Sequence, residues 1–311
     1  MQVVLVHNPA AGDESAPGEQ ALKRLIRDAG HEVEYCPVRS RKWKSALKDG
    51  ADLVAVAGGD GTVVQVAREI MGRRIPIAVL PLGTANNISK SLGVRHLPLE
   101  ELVACWKKAQ RRRFDAGVIR APWGKQHFIE GAGAGLFAIT MPEADEHPTL
   151  ENLKDAEARA TYAQQILRER LKACRPLPLD IEVDGEEISG EFLLFEAMNM
   201  EYVGPNLYLA PDSVSDDGKL DVVLIKARDR RKLDRCLETW QDGVTRPPDF
   251  EALKAKRIEI EWTGFDLHVD DALFPGKEHR SVRKPARIVI EAERNALEFL
   301  VPGRDDGPAE N

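Results

Sequence analysis

The sequence predicts an α/β domain with a parallel sheet, followed by a second domain that is a mostly antiparallel β-sandwich. Strand patterns alternate with helix patterns up to the basic run at residues 111–113, and this alternation is typical of a parallel α/β sheet. After that run, short β-rich segments dominate, as in a sandwich. The chain has 311 residues, 43% of them hydrophobic, which suits two domains with sizeable cores.

The first domain is expected to contain three central strands. Val3–Val6, Leu53–Ala57 and Ile75–Leu80 are short apolar runs without polar alternation, which indicates strands buried on both faces of a parallel sheet. The segments between and after them carry helical periodicity or helix-forming residues. The predicted helices are Ala21–Asp28, Trp43–Lys48, Thr62–Met71, Asn87–Leu92 and Leu99–Gln110.

The second domain is expected to consist of strands separated by Gly, Pro or Asp turns. The predicted strands are Leu179–Val183, Glu191–Ala197, Leu207–Ala210, Leu220–Ile225, Arg257–Trp262, Asp266–Val269, Arg287–Glu291 and Leu297–Val301. Two helical patterns interrupt them, at Glu151–Ala173 and Arg231–Gln241. Residues 304–311 are polar and are expected to form a flexible tail.

A glycine-rich turn, residues 58–62 (Gly-Gly-Asp-Gly-Thr), follows the second central strand. Glycines at 58, 59 and 61 let the backbone approach a ligand, Thr62 can cap the following helix, and N–H groups at a helix start favour an anion. The turn lacks the lysine of a P-loop and the spacing of a dinucleotide fingerprint. With Asp60 at its apex, it would hold a phosphate through a divalent cation. A plain Gly-Asp-Gly turn is the alternative.

The other two central strands also end in small polar turns, at residues 7–12 and 81–87. Ligands of open α/β sheets bind beyond the carboxyl ends of the strands. We therefore expect the turns around Asn8, Asp60 and Gly83 to line one crevice.

The order of these motifs resembles the diacylglycerol kinase catalytic-domain family, which includes bacterial lipid kinases and the sphingosine and ceramide kinases. Asn8-Pro9, the turn at 58–62 and the Gly83-Thr84-Ala85-Asn86 turn carry the resemblance. Shorter matches extend it over nearly the whole chain. They are Phe114-Asp115-Ala116-Gly117, the glycine-rich segment 131–135, Asn199 with Gly204, Asp217-Gly218-Lys219-Leu220-Asp221, and Val269-Asp270-Asp271-Ala272.

The resemblance implies a nucleotide-binding domain at 1–115, completed by 296–303, and an acceptor-binding domain at 116–295. ATP would bind the first domain with Mg²⁺, a lipid hydroxyl would come from the second, and transfer would occur in the cleft between them. Asp60 would hold the metal–phosphate unit and Asp270 would be the base. The nucleotide would be framed by Asn8, Gly58, Gly59, Asp60, Gly61, Thr62, Gly83, Thr84 and Asn86.

Two acidic motifs can each be interpreted in more than one way. In a strand, only one of Asp270 and Asp271 could face the acceptor. In a turn, both carboxylates could face the acceptor, and their mutual repulsion would raise the pKa of one of them. The alternative is a surface Asp-Asp turn that closes a hairpin. Some members of the resembled family bind a structural cation at the loop of Asp217, for which the alternative is an ordinary turn.

Three positions that are acidic in the resembled family are neutral here, namely Gln65, Asn87 and Ala272. Their loss would weaken a magnesium site, because this cation prefers carboxylate oxygens. A lipid- or nucleotide-binding protein without kinase activity is therefore one alternative. An NAD kinase shares the Gly-Gly-Asp-Gly turn, but it would require an Asn-Glu pair downstream.

Charge and composition limit the partners. The net charge of −7 disfavours nucleic acid, which would need a basic stripe. Four scattered cysteines indicate reduced thiols in a cytoplasmic protein, and the start of the chain lacks a signal-peptide pattern. Basic clusters near residues 107–113, 228–232 and 280–284 suggest transient contact with a membrane surface, with solvated faces as the alternative. A lipid-like alcohol is the expected partner, and homo-oligomerisation stays open.

Overall fold

The structure, a computed structural model, describes residues 1–303 except 14, 41, 49, 146, 154, 241–249 and 277–281. The predicted tail at 304–311 therefore lies outside the described residues. The chain divides into two compact units. The first comprises Met1–Ala11, Ser15–Phe114 and the segment from Leu297 onward, and the second comprises mainly Asp115–Ala296.

The first unit is a parallel sheet with the strand order β2-β1-β3-β4. Phe299, near the end of the last strand of the chain, pairs in parallel with Ile77, the first residue of β4. Its elements are β1 (Gln2–His7), α1 (Glu19–Asp28), β2 (Glu32–Pro37), α2 (Lys42–Ala46), β3 (Leu53–Gly58), α3 (Asp60–Ile70), β4 (Ile77–Pro81), α4 (Asn87–Ser91) and α5 (Leu99–Cys105). Every residue of β3 is buried, as its continuous apolar run predicts for a central strand.

The second unit is built from antiparallel strands. They are β5 (Gln110–Ala121), β6 (Gly124–Phe128), β7 (Gly131–Gly135), β8 (Leu177–Val183), β9 (Glu186–Met198), β10 (Tyr202–Val203), β11 (Leu207–Tyr208), β12 (Leu220–Lys226), β13 (Glu251–Ala255), β14 (Arg257–Trp262), β15 (Leu267–Val269), β16 (Ala272–Phe274) and β17 (Ala286–Val301). The helices are α6 (Leu136–Asp145), α7 (Pro148–Asn152), α8 (Ala156–Ala173) and α9 (Arg230–Thr239). The strand order is β16-β15-β7-β9-β8-β14-β17, with β12 beside β9.

Alternate residues of the central strands of this unit pack into two hydrophobic cores. Phe195 of β9 and Val222 of β12 belong to a core formed by the strands of the sandwich. Their chain neighbours Leu194 and Val223 belong to a second core, which residues of α6, α8 and α9 complete. This alternation is what a two-residue side-chain period produces when both faces of a sheet are covered. The predicted fold class, a parallel α/β domain with an antiparallel β-sandwich, is confirmed.

Several element predictions were wrong in detail. Strand β2 was not predicted, because its two glutamates are uncommon in strands and hide the apolar pattern of this edge strand. Helix α5 ends at Cys105, since Gln110 already begins β5. The helix predicted over Glu151–Ala173 is two helices, α7 and α8, and the strands predicted at 287–291 and 297–301 are one continuous β17. Helix α6 was also missed, and the predicted end of α9 at Gln241 lies outside the described residues.

None of the helices in the described part of the chain combines the length and the apolar character that crossing a bilayer requires.

Candidate functional site

The two glycine turns of the first unit pack directly against each other. Strands β3 and β4 are parallel neighbours, with Gly58 opposite Pro81, and the Leu82 amide donates to the Gly58 carbonyl at 3.0 Å. A methyl group built on Gly83 would lie 2.3 Å from the Gly59 Cα, so the turns approach as closely as backbones can. The structure thus brings together the two motifs that the sequence predicts to share one crevice.

Asn8 lies beside the same strand ends. Its amide donates to the Ala57 carbonyl at 2.9 Å, immediately before the first glycine turn. Its side-chain oxygen accepts the Ala10 amide at 3.2 Å, which is the local hydrogen bond of an Asx turn. The side chain therefore shapes its own turn, and the backbone of that turn adjoins the end of β3.

Asn86 holds the second glycine turn in shape. Its φ of 52° is left-handed, which asparagine tolerates better than most residues. The buried side chain accepts the Gly83 amide at 3.0 Å and donates to the Gly83 carbonyl at 2.6 Å. Asn86 is thus engaged within the turn, while Thr84 between the two is half-buried.

Asp60 lies where the two turns meet, but its carboxylate does not point outward. It is the first residue of α3, and its two oxygens accept the amides of Asn87 and Ile88, each at 3.0 Å. Asp60 therefore caps the start of α4 from a distance of 27 residues in sequence. Desolvation raises the pKa of the Asp60 carboxyl, against the opposing effects of the Ile88 and Asn87 amides and of Lys90.

Gly59, rather than Thr62, is the N-cap of α3, and no side chain caps the helix start. The capping role predicted for Thr62 was therefore wrong, and its buried side chain lies against Gly58 instead. The amides of Thr62 and Val63 bond to the Gly59 carbonyl, whereas the first N–H groups of a helix have no intrahelical partner. The start of α3 accordingly provides the Gly61 N–H group and a positive dipole end for an anion.

The residues of the first unit do not fit a metal ion held by protein carboxylates. Both Asp60 oxygens are occupied by backbone amides. Among the described residues there is no group of three or more His, Cys, Asp or Glu that could hold a metal ion. Gln65 is exposed and Asn87 is buried, so neither position supplies a carboxylate.

A lysine takes the place that the sequence suggested for a cation near Asp217. The Lys254 ammonium lies 3.1 Å from Asp221 and 3.6 Å from Asp217. The other Asp217 oxygen accepts the Lys219 amide at 2.9 Å. Two carboxylates that share an ammonium already have a positive partner, which favours the interpretation of the loop as an ordinary turn.

Asp115 connects several of the shorter motifs. Its fully buried carboxylate accepts the amides of Gly218 and Asn295, each at 2.7 Å. Its carbonyl accepts the side-chain amide of Asn199 at 2.8 Å. Asn199, which belongs to one of the shorter motif matches, is thus buried in the framework. Gly204 forms the turn between β10 and β11 with a φ of 56°.

Asp270 and Asp271 form the two-residue turn between β15 and β16. Asp270 has a left-handed φ of 51°. Its carboxylate accepts three consecutive amides, from Ile129 at 3.0 Å, Glu130 at 2.9 Å and Gly131 at 3.3 Å. The backbone thus holds the Asp270 carboxylate in a fixed orientation. Asp271 is exposed.

Several cations of the basic clusters bind the protein itself. Arg111 pairs with Glu298, and Arg112 donates to the Ser91 carbonyl at 3.1 Å. Arg230 donates to the carbonyls of Leu171 and Cys174. These contacts favour a structural role for part of the basic surface.

Sequence reasoning missed a buried pair beside the Asp270 turn. His268 Nε2 lies 2.7 Å from Glu196 Oε1, and both side chains are almost completely buried. The two residues are 72 positions apart, and a lone His or Glu within an apolar strand carries no local signal of its partner.

Two family models match the chain. Residues 2–119 match the diacylglycerol kinase catalytic domain, and residues 143–277 match the YegS C-terminal NAD kinase beta sandwich-like domain. Proteins named diacylglycerol kinase are 26% identical in Mycobacterium tuberculosis (strain CDC 1551 / Oshkosh), over 73% of this chain and 72% of that one, and 28% identical in Bacillus subtilis (strain 168), over 71% and 73%. A probable lipid kinase YegS-like protein of Shewanella frigidimarina is 25% identical over 89% and 87%.

Solved structures show the same architecture. A diacylglycerol kinase from Bacillus anthracis str. Sterne superposes with a TM-score of 0.66 at 23% identity, covering 96% of both chains. Yeast NADH kinase complexed with NADH gives 0.53 at 12% identity, covering 98% of this chain and 84% of that one. The fold is thus that of the diacylglycerol and NAD kinases. The two model matches and the named relatives confirm the resemblance to the diacylglycerol kinases that the motifs predicted.

Proposed function

We propose that the protein transfers the γ-phosphate of ATP to a hydroxyl of a lipid or lipid-like alcohol. The observation that carries this proposal is the direct packing of the Gly59 and Gly83 turns at the carboxyl ends of two parallel strands. This edge of an open α/β sheet is where ligands bind. The family match and the names of the relatives support a lipid kinase.

The phosphates of the nucleotide would bind at the backbone of the first unit. The Gly61 N–H group and the positive dipole end at the start of α3 would favour an anion, while the Asp60 N–H bonds to its own carboxylate. In this account Asp60 does not bind a metal directly but holds the start of α4, and with it the Gly83–Asn86 turn, beside the phosphates. Magnesium in the reaction would be held by phosphate oxygens and water, which is common for this ion.

Asp270 is the proposed proton acceptor for the hydroxyl of the lipid. Phosphoryl transfer depends mostly on positioning, and one carboxylate serves to accept or orient the attacking proton. Three amides hold the Asp270 carboxylate in one orientation, so that it can orient the attacking hydroxyl. Asp271 is exposed and is the second candidate.

Because acidic side chains are missing at positions 65, 87 and 272, a second function is also compatible with the sequence. A protein of this fold that binds nucleotide or lipid without transfer would have the same packed glycine turns. The described residues contain no carboxylate cluster that would hold magnesium in the usual way. This favours a protein that binds its ligand without transfer.

A turnover assay with a panel of acceptors separates these functions. Purified protein is incubated with ATP, magnesium and mixed micelles that contain diacylglycerol, a sphingoid base or a prenol, with NAD as a separate acceptor. We expect phosphorylation of at least one lipid acceptor, and loss of this activity in Asp270→Asn. Tight ATP or lipid binding without turnover of any acceptor would favour the binding protein, and phosphorylation of NAD alone would favour an NAD kinase.

A further inference from the structure

Glu196, Gly133 and His268 lie side by side on three adjacent strands. Gly133 of β7 is paired with Glu196 of β9 on one side and with His268 of β15 on the other. The two long side chains reach across the glycine and meet at 2.7 Å. A Cβ at position 133 would lie 2.3 Å from Glu196 Oε1. The glycine in the middle strand therefore makes room for the pair.

The pair is placed in surroundings that do not favour charge. Glu196 and His268 are 0% and 3% exposed. Leu194 and Met198, on the same face of β9 as Glu196, belong to a hydrophobic core, and the Phe137 ring of that core lies 6.1 Å from the His268 ring. Glu196 Oε2 has no hydrogen-bond partner among the described residues, which costs about 1–3 kcal/mol. Replacing a buried ion pair with apolar residues is often neutral or stabilising. Stability is therefore a poor explanation for the pair.

The second ring nitrogen of His268 points to the backbone of the turn. Nδ1 lies 3.2 Å from the Asp270 carbonyl oxygen, which can only accept a hydrogen bond. Nδ1 must then carry a proton, while Nε2 faces the Glu196 carboxylate. Burial alone would lower the pKa of His268, but the charge and hydrogen bond of Glu196 and the Asp270 carbonyl outweigh it and raise the pKa. Burial also raises the pKa of the Glu196 carboxyl, so one proton lies between His268 Nε2 and Glu196 Oε1 while Nδ1 keeps its own.

The hydrogen bond from His268 fixes a residue in an unfavourable conformation. A left-handed conformation costs a non-glycine residue about 1–2 kcal/mol. Asp270 keeps it with three supports: its amide donates to the Gly131 carbonyl at 2.8 Å, its carboxylate accepts three amides, and its carbonyl accepts His268 Nδ1–H. The carbonyl contact is the one among these supports that comes from a side chain outside the turn.

We propose that Glu196 and His268 are positioning residues for Asp270: Glu196 holds the His268 ring in its orientation, and His268 Nδ1–H fixes the Asp270 carbonyl and thereby the direction of its carboxylate. This inference rests on the proposed function of Asp270 as the proton acceptor. Neither residue of the pair would touch the substrate, since both are buried. Their effect on transfer would act through the geometry of the turn.

The protonation state can be tested in the unmodified protein. Nitrogen-15 NMR of the histidine side chains, with His268→Asn to assign the signals, shows which ring nitrogens carry protons. We expect Nδ1 of His268 to carry a proton at pH 7. A bare Nδ1 would overturn the proposal without any reference to activity.

Two substitutions separate the contacts of the ring. The amide nitrogen of Asn can take the place of Nδ1 and that of Gln the place of Nε2, so His268→Asn keeps the contact to Asp270 and His268→Gln keeps the contact to Glu196. We expect His268→Gln to lower kcat roughly 100-fold with KM for ATP unchanged, and His268→Asn to keep most of kcat. Equal kcat values for the two variants, or unchanged kcat in His268→Gln, would overturn the positioning role.

A matched control is available in the same unit. His127 Nε2 lies 3.2 Å from Glu293 in a more exposed His–Glu pair, and His127→Gln should leave kcat unchanged. The backbone amide signals of Ile129, Glu130 and Gly131 give a readout that does not need turnover. If the wild type phosphorylates no lipid, the proposed function fails. Shifts of these signals in His268→Gln but not in His268→Asn would still support the positioning role, and identical spectra would overturn it.

Discussion

Gly59 and Gly83 approach each other so closely that a methyl group on Gly83 would lie 2.3 Å from the Gly59 Cα. Neither turn could keep its path if a side chain replaced the Gly83 hydrogen. The contact joins the ends of β3 and β4, and Asp60 reinforces it by accepting the first amides of α4. The proposed nucleotide site is therefore one rigid structure made of two separate motifs.

Substituting Gly83 should disrupt this structure. In Gly83→Ala the turns must separate, which costs about 1–3 kcal/mol in a tightly packed site. We expect ATP affinity, measured by isothermal titration calorimetry, to fall roughly tenfold or more, since about 1.4 kcal/mol corresponds to a factor of ten. Gly18→Ala is the control, because nothing lies within 4 Å of an added Cβ there. Unchanged affinity in Gly83→Ala would contradict the close packing.

Asp60 should behave as a helix cap that supports the site. Asp60→Ala leaves the Asn87 and Ile88 amides without their acceptor and should lower the free energy of unfolding by about 0.5–2 kcal/mol. The control is Asp155→Ala, which removes the acceptor of the Ala158 amide at the start of α8. Urea denaturation should show comparable losses, but ATP affinity should fall only in Asp60→Ala. An unchanged free energy of unfolding in Asp60→Ala would argue against the role of Asp60 as a helix cap.

Asp270→Asn should lower kcat by about 10²–10⁴, the usual contribution of a general base. Asp184 offers a closely matched control. It also lies in a hairpin turn with a left-handed φ, and its carboxylate also accepts backbone amides, those of Lys256 and Arg257. Steady-state kinetics of Asp184→Asn should be unchanged. Similar losses in both variants would indicate that Asp270 is only structural.

The Lys254 ammonium, rather than a metal ion, should stabilise the loop of Asp217. Lys254→Met leaves the nearly buried Asp221 carboxylate without its ammonium and should cost about 1–3 kcal/mol in urea denaturation. Lys226→Met breaks a more exposed ion pair with Glu251 between the same two strands and should cost no more than about 1 kcal/mol. EDTA should leave the Tm of the wild type unchanged. A lower Tm in EDTA would reveal a structural metal ion instead.

The His268 side chain should make stability depend on pH. Its folded-state pKa is raised above the ordinary value of about 6.5, so its stabilisation is complete below that value and is lost as pH rises through the folded-state pKa. The difference in unfolding free energy between wild type and His268→Asn should therefore shrink at alkaline pH. Burial lowers the pKa of His31, so its contribution should instead fall below about pH 6.5. A constant difference for His268 would contradict the raised pKa.

Local patterns allowed the central strands and the glycine turns to be predicted. Leu53–Ala57 is a continuous apolar run that ends in three glycines, and both signals are contained within ten residues. The parallel order of β3 and β4 then brings their turns together, because carboxyl ends of parallel strands share one edge of the sheet. The resemblance to the diacylglycerol kinases followed from the order of such local motifs.

The roles of individual acidic residues could not be predicted in this way. Asp60 is satisfied by amides 27 and 28 residues later, and Lys254 reaches Asp221 from a strand 33 positions away. The partner of His268 is 72 positions away and fits only because Gly133 lies between them. Charge partners depend on strand order and register, which the pattern of one segment does not contain.

The most direct test of the central claim is to follow the γ-phosphate itself. ATP labelled with oxygen-18 in the γ-phosphate is incubated with the purified protein, magnesium and diacylglycerol micelles, and the lipids are analysed by mass spectrometry. The account predicts a phosphate monoester of the lipid that carries the label and forms much more slowly in Asp270→Asn and, at low ATP concentration, in Gly83→Ala. A lipid that stays unphosphorylated, with every other alcohol of the panel equally unchanged, would contradict it.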